Sequence, residues 1–288
     1  MNTFVAMPIN FFKHLADQSA GHMLRIAAPD NLQEAVEGFY VFKGSYSQQK
    51  ELFFNDGYPT LVLMKNENEV VEINVEGQTT AVGSSWVCGG FLRNIYGGSN
   101  LQFQDCLVIR FHAVAFFKLF GIEEDCFKNK QIFDFVDIAG NGYEAFTRDF
   151  YQCVTLEEKL AIVNSALSEK MGSYSYPKIL SDIQRRMDGE NNLSVKDILN
   201  SYETRLNYKW LERNFKKHVG LSPQNYLLIR RFLKAYLDLE ALQTKDLLQV
   251  ALDNGYYDDN HFIKDFRRFC GTAPKTYFRG PVKLPASA

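Results

Sequence analysis

Residues 250–278 constrain the fold most, because they form a pattern of two short helices joined by a glycine turn. Residues 250–252 end an apolar helix, and Gly255 can adopt the left-handed conformation in which helices commonly terminate. Asp258 or Asp259 can then accept hydrogen bonds from the free amides of the next helix. The segment is predicted to be a helix-turn-helix, a unit that places its second helix in the major groove of DNA.

The second helix of this segment has an apolar face and a basic face. Three aromatic side chains recur at helical spacing and predict a buried stripe: Phe262, Phe266 and Phe269. Three basic side chains fall off that stripe, where they can reach phosphates: Lys264, Arg267 and Arg268. Gly271 ends the helix and Pro274 prevents its continuation. Any corner between two helices needs a similar pattern, so turn chemistry alone leaves a purely structural alternative open.

Residues 255–278 resemble the second helix-turn-helix of AraC-type transcription regulators without a gap. The matching positions are Gly255, Tyr256, Asp258, His261, Phe262, Phe266, Phe269, Gly271, Pro274 and Tyr277. Asn260 replaces the usual serine, and Ala273 replaces the usual serine or threonine. The resemblance implies sequence-specific binding of double-stranded DNA by this segment.

The same family predicts a second copy upstream. Residues 193–199 resemble its first helix, with Ser194 as the cap, and residues 210–220 resemble its recognition helix. Trp210, Leu211 and Phe215 are expected to face the core. The Ser222-Pro223 pair is typical of a helix start, here that of the helix linking both copies. Residues 200–205 make the first turn about two residues longer than in the family, without glycine, which predicts a tilted or weakened first recognition helix.

The predicted DNA-contacting residues lie at the starts and on the exposed faces of the two recognition helices. They are Asn207, Tyr208, Lys209, Arg213, Lys216, Asp259, Asn260, His261, Lys264, Arg267 and Arg268. A linker helix from Pro223 to about residue 242 would be roughly 30 Å long at about 1.5 Å per residue. One turn of B-DNA is about 34 Å, so this helix could hold two recognition helices in adjacent major grooves. Arg230, Arg231 and Lys234 are expected to add positive charge along the linker helix.

The charge distribution divides the chain into two unlike parts. Residues 181–280 contain 17 Lys and Arg against 13 Asp and Glu, whereas the remainder contains 15 against 21. This asymmetry is typical of a nucleic-acid-binding module joined to a domain that does not bind nucleic acid. The excess is modest, so salt-sensitive DNA binding of moderate strength is expected.

The N-terminal part has the spacing of a β-protein that turns helical. Apolar runs at 60–64, 70–75 and 107–111 predict strands of a small β-barrel or sandwich. Thr155 and Glu158 predict a capping box before a helix with Leu156, Leu160, Val163 and Leu167 on one face. We therefore predict an α+β chain with an all-α C-terminal domain of two helix-turn-helix units joined by a long helix. The predicted domains are 1–172 (barrel about 1–112, helices about 113–172), a linker at 173–177, the DNA-binding domain at 178–280 and a tail at 281–288.

The N-terminal half resembles AraC-type sensor domains, mainly at Asp56-Gly57-Tyr58-Pro59-Thr60 and in the step from a strand into a helix at residues 107–121. The resemblance implies a small effector, homodimer formation, or both, and RNA polymerase as a further partner. No effector-contacting residue follows from it, nor does the choice between activator and repressor. A ligand-binding or protein-interaction module with a weakened DNA-binding domain is the alternative.

Catalytic, metal and membrane functions find little support in the sequence. His112, Cys106 and Cys88 lack the spacing of metal ligands. Cys106 and His112 lie six residues apart on one predicted strand, which is too far for the hydrogen bond between a nucleophile and its base. The glycine pairs lack the context of a phosphate loop. Five scattered cysteines indicate reduced thiols, and neither a signal peptide nor an apolar run of about 20 residues is seen. A soluble cytoplasmic protein without enzymatic activity, cofactor or metal is expected.

Overall fold

The computed structural model describes residues 23–42, 56–97, 106–122, 126–128, 130–140, 142–171, 178–189, 193–202, 206–241 and 246–278. The predicted linker at 173–177 and the predicted tail at 281–288 lie outside these ranges, as do residues 203–205 of the first turn. Within the described ranges, no helix is long and apolar enough to cross a membrane.

The N-terminal half contains two antiparallel sheets. Its strands are β1 Met23–Ile26, β2 Val36–Phe42, β3 Thr60–Leu63, β4 Val71–Val75, β5 Gln78–Val82, β6 Ser85–Cys88, β7 Ile95–Gly97, β8 Leu107–Phe111 and β9 Ile132–Asp134. The large sheet has the order β1-β2-β8-β3-β6-β9, and the small sheet has the order β5-β4-β7. The strands predicted at 60–64, 70–75 and 107–111 are thereby confirmed.

The large sheet is buried on both faces because its side chains alternate between two cores. On β8, Leu107 and Ile109 face the helices. Val108 instead faces the small sheet, as does Tyr40 on β2. The predicted α+β class is confirmed, and its barrel-or-sandwich alternative resolves to a sandwich whose large sheet ends at β1 and β9 in the described part of the chain.

Helices cover the outer face of the large sheet. They are α1 Ala113–Phe120, α2 Val136–Ala139, α3 Tyr143–Gln152 and α4 Leu156–Met171, with a 3-10 turn at Cys126–Lys128. The predicted capping box is present: the Glu158 amide donates to Thr155 Oγ1 at 3.2 Å, and the Thr155 amide donates to the Glu158 carboxylate at 2.9 Å. Val163 and Leu167 of α4 are buried against the sheet, which confirms the predicted helix face.

The C-terminal half is all helical. Its elements are α5 Lys178–Gly189, α6 Val195–Asn200, α7 Tyr208–Val219, α8 Pro223–Ala241, α9 Leu247–Asp253, α10 Asp259–Cys270 and α11 Pro274–Tyr277. The long helix α8 joins two cores, with Tyr226 in the core of α5–α7 and Phe232 in the core of α9–α10. The predicted linker helix is confirmed at both ends, and Ser222 Oγ accepts from the Asn225 amide at 3.2 Å at its start.

The two halves share both of these helical cores. Ala113 and Val114 of α1 belong to the core around α7, and Tyr96 of β7 belongs to the core around α10. The Asn94 amide also donates to the Phe269 carbonyl at 2.7 Å. The helices α7 and α10 therefore belong to cores that include residues of the N-terminal half, while the exact domain boundaries stay a prediction.

Candidate DNA interface

The helices α7 and α10 begin with the same cap. Asn207 and Asp258 precede them in extended conformations, and each side chain accepts a hydrogen bond from the amide three residues later. The distances are 2.8 Å to the Trp210 amide and 2.7 Å to the His261 amide. Asp258 rather than Asp259 is therefore the cap of α10. Equivalent positions of the two helices are therefore 51 residues apart in the sequence, as Asn207 and Asp258 are.

The buried stripes of α7 and α10 follow the same register. In α7 the buried side chains are Leu211, Phe215, His218 and Val219. In α10 the buried side chains are Phe262, Phe266, Phe269 and Cys270. Both helices end at a glycine in the left-handed conformation, Gly220 with φ 72° and Gly271 with φ 71°. The predicted phenylalanine stripe is confirmed.

The face opposite each stripe is exposed, and it holds most of the predicted contact residues. In pairs of equivalent positions these are Lys209 with Asn260, Arg213 with Lys264, and Lys216 with Arg267. Successive residues turn by about 100°, so the three positions share one side of each helix. Each recognition helix therefore presents a polar, mostly basic face to the same side of its own unit.

The remaining predicted residues, at the starts of α7 and α10, differ in how available their side chains are for contact with DNA. Asn207 uses its side-chain oxygen as a cap, Tyr208 is half-buried, and Asp259 is the first residue of α10. His261 is exposed. Lys216 Nζ lies 3.0 Å from Glu212 Oε1, so its charge is partly compensated before any phosphate approaches.

Arg268 is exposed and also contacts the N-terminal half. Its guanidinium lies 5.4 Å from the ring centroid of Phe91 and 6.0 Å from that of Phe269. It therefore contributes to the contact between α10 and the loop before β7. The equivalent residue of α7, Lys217, is exposed, and it is not among the residues predicted from the sequence to contact DNA.

The cations of α8 are largely committed to structure. Arg230 is 6 % exposed, with Nε 3.2 Å from Asp188 Oδ1 and Nη1 donating to the Asp56 carbonyl at 3.2 Å. Burial raises the pKa of Asp188, and the Arg230 charge opposes that rise. Arg231 lies 4.2 Å from the Tyr256 ring centroid and 3.4 Å from Asp265. The expectation that Arg230 adds charge to a DNA-facing linker is wrong, because its pairing with Asp188 and Asp56 withdraws it from solvent.

A cleft of about 970 Å³ lies between the two helix-turn-helix units. Its lining includes Lys196 of α6, Asn207 before α7, Lys234 of α8 and Gly255 before α10. The start of α7 and the turn leading into α10 thus open onto the same side of α8. This common side is what the simultaneous use of both recognition helices requires.

The first turn is longer than the second, as predicted from the sequence. Residues 201–206 separate α6 from the cap of α7, whereas residues 254–257 separate α9 from the cap of α10. The second turn uses Gly255 at φ 74°. The first turn is anchored differently, because the Tyr202 hydroxyl donates to Asp182 of α5 at 2.7 Å. The only sequence signal for this anchor was a tyrosine in an otherwise polar stretch.

The residues weighed as metal ligands do not come together as a site. Cys88 and Cys106 are buried in the core between the sheets, and His112 precedes α1. Across the described ranges, no group of three or more His, Cys, Asp or Glu side chains could hold a metal ion.

Comparison with protein families gives one match in this half. The model described as "Helix-turn-helix domain" matches residues 202–280, which are therefore a helix-turn-helix domain, as the resemblance to AraC-type regulators predicted. Curated relatives include the HTH-type transcriptional activator RhaS of Escherichia fergusonii, 36 % identical over 75 residues, or 26 % of this chain and 27 % of that protein. RhaS of Pectobacterium carotovorum is 39 % identical over 67 residues, or 23 % of each chain. The matched segment thus spans about a quarter of these relatives' length.

Among solved structures, ToxT from Vibrio cholerae O395 is similar over 89 % of this chain and 95 % of its own. The sequence identity is 15 % and the TM-score is 0.39, which is too weak a likeness to support an inference about this chain. The relatives matched by sequence are HTH-type transcriptional activators.

Proposed function

We propose that this protein is a sequence-specific DNA-binding transcription regulator, an activator like its named relatives, with α7 and α10 in successive major grooves. The observation that carries the proposal is the shared register of the two recognition helices. Cap, buried stripe, terminal glycine and exposed basic face recur at equivalent positions in both. A purely structural helix corner has no need for such a repeat.

The length of α8 suits two adjacent grooves. Its 19 residues span about 28 Å at about 1.5 Å per residue. The side chains on α7 and α10 add reach at both ends, which brings the separation near the roughly 34 Å of one DNA turn. Because α8 is a single helix packed into both cores, it holds the two recognition helices at one spacing.

Affinity in this proposal comes from phosphate contacts, and specificity comes from the helix faces. Lys209, Arg213, Lys264 and Arg267 are the exposed cations that reach the duplex. Asn260 and His261 lie in the first turn of α10, where side chains of a recognition helix commonly meet base edges. The N-terminal half binds a small effector, supports a homodimer, or does both, and RNA polymerase is the partner through which activation proceeds.

The alternative is a ligand-binding or interaction protein whose DNA-binding domain is weakened. The longer first turn favours it, since that turn joins α6 to α7 and sets how the two helices of the first unit are oriented. The burial of Arg230 also reduces the charge available to DNA.

The test uses the full chain, because both helical cores include residues of the N-terminal half. Its binding to a fragment of a promoter from its own genome is measured against a random duplex at several salt concentrations. We expect a preference for the promoter and an affinity that falls steeply with salt. Lys264→Ala should weaken binding, whereas Lys275→Ala, an equal charge change at an exposed position on α11, should not. A flat salt dependence without preference for any promoter fragment would favour the alternative.

A further inference from the structure

A cavity of about 400 Å³ lies in the N-terminal half between the large sheet and the helices that cover it. Leu61 of β3 and Ile109 of β8 form its floor, and Phe120 at the end of α1 forms one wall. These residues belong to the helix-side core, separate from the core between the two sheets. The cavity is therefore distinct from the interior of the sandwich.

The cavity is apolar inside and carries charge only at its rim. Phe135, Tyr143 and Phe146 contribute ring surfaces to its walls, and the Tyr143 hydroxyl already hydrogen-bonds Ser85 Oγ at 2.9 Å. Glu169 is exposed at the end of α4. Beside it, the Lys170 ammonium lies 5.7 Å from the Phe120 ring centroid. An occupant thus contacts aromatic rings and aliphatic side chains, and meets charged groups only where the cavity opens.

The size of the cavity selects the kind of occupant. Protein cores pack closely, and an apolar cavity of about 150 Å³ stays dry and holds one benzene. About 400 Å³ leaves room for two rings and lies within the range of small-molecule pockets, about 300–1,000 Å³. A helix, about 10 Å across with its side chains, does not fit. The occupant that fits is a compact molecule rather than a peptide or a second chain.

We propose that this cavity binds the effector, a compact ring-bearing apolar molecule whose polar group faces Lys170 and Glu169, and that α1 transmits its binding to α7. The proposal rests on the function proposed above, because it names the site and chemical class of the effector and the helix through which it acts on DNA binding.

The helix α1 is the element shared by the cavity and the first recognition helix. Phe120 lines the cavity at its C-terminal end, while Ala113 and Val114 pack in the core around α7. Phe117 lies against Gly220 so closely that a Cβ at that glycine would overlap its ring. In a close-packed contact of this kind, a displaced ring at one end of a short helix must be accommodated at the other. An occupant that moves Phe120 therefore alters the packing of α1 against α7.

The test measures binding of two defined probes, biphenyl-4-ol and biphenyl-4-carboxylate, to the full chain by calorimetry. Ala166→Phe fills the cavity from α4, and Ala161→Phe places the same ring on the exposed face of the same helix as the matched control. We expect at least one probe to bind the wild type and Ala161→Phe equally, and Ala166→Phe at least tenfold more weakly. Equal binding to all three proteins, or binding of neither probe to the wild type, would overturn the cavity assignment.

Transmission is tested by reciprocity, since an effector that changes DNA affinity must have its own affinity changed by DNA by the same factor. We expect the dissociation constant of the probe to shift at least threefold when a bound promoter duplex is present. A probe that binds in the cavity with no shift would overturn the role of α1. A chain that binds the probe but prefers no DNA sequence would overturn the proposed function and leave the cavity assignment standing.

Discussion

The two helix-turn-helix units have equivalent recognition helices but differ in the elements that pack around those helices. The second unit closes its turn with Gly255 and packs an aromatic core from α10 around Phe232. The first unit has a longer turn, and its core is completed by α1 and by the buried Arg230–Asp188 pair. The comparison teaches that a helix-turn-helix keeps its recognition helix through the stripe and caps, while the turn can vary if another element supports it.

The largest expected effects come from the equivalent aromatic positions in the two stripes. Phe215→Ala and Phe266→Ala each remove a fully buried ring, and each should lower the free energy of unfolding by about 3–5 kcal/mol. Urea unfolding of the full chain measures both. A loss below about 1 kcal/mol in either variant would show that the stripe of that unit is not its core.

The next largest loss of stability is expected at the ion pair of Arg230 with Asp188, which connects α8 to α5. Arg230 also donates to the Asp56 carbonyl in the N-terminal half. Arg230→Ala removes the cation beside buried Asp188, which keeps its hydrogen bond from the Tyr226 hydroxyl, and should cost about 3–5 kcal/mol, at or below the effect of the core substitutions. Arg231→Ala is the matched control on the same helix, since Arg231 is partly exposed beside Asp265, and it should cost about 0–1 kcal/mol. Equal losses in the two variants would contradict the structural role of Arg230.

The helix caps should contribute less and should do so equally in both units. Asn207→Ala and Asp258→Ala each remove an acceptor from an amide in the first turn, with an expected cost of about 1 kcal/mol. Asn260→Ala, an exposed change in the same turn of α10, should stay within about 0.5 kcal/mol. If Asn207→Ala behaved like Asn260→Ala, the first unit would lack the cap that the structure shows.

The smallest expected effect is the pH dependence of stability that His218 contributes in the first unit. His218 occupies the stripe position that Phe269 holds in the second unit, and burial, aided by Lys217 and Lys118, lowers the pKa of His218 below 6.5. The unfolded chain therefore binds this proton more readily, so stability falls as the pH drops below about 6.5. His218→Phe should reduce the slope of the unfolding free energy against pH between pH 7.5 and 5.5, as measured by urea unfolding at each pH.

His112, in the N-terminal half, also contributes to the loss of stability at acid pH, because burial lowers its pKa too. The prediction for His218 is therefore a reduction of the slope and not its complete loss. An unchanged slope in His218→Phe would show that His218 is not responsible for any of it.

The features predictable from the sequence are those set by neighbours along the chain. Ser194, Asp258 and Thr155 cap helices within three residues of their partners, and the stripe of α10 follows from a helical period. Local patterns of this kind persist because they depend only on backbone geometry and side-chain size. The start of α8 was predictable in the same way, because the Ser222-Pro223 pair is typical of a helix start.

The features that escaped prediction depend on residues far apart in the chain. Arg230 meets the carbonyl of Asp56, and Arg268 meets Phe91, each across more than 170 residues. Nothing near Arg230 in the sequence distinguishes it from Arg231, which stays partly exposed. The cavity beside Phe120 is likewise assembled from two strands and four helices, so no local pattern indicates it.

The central claim is that one chain reads two successive major grooves through α7 and α10 held apart by α8. Selection of binding sites by the full chain from random duplexes tests it most directly. We expect two preferred sequence blocks whose centres lie about 10–10.5 base pairs apart at a fixed spacing. In the selected duplex, a five-base-pair insertion between the blocks should remove the preference, because it rotates one block to the opposite face. A single block, or binding that tolerates the insertion, would contradict the account.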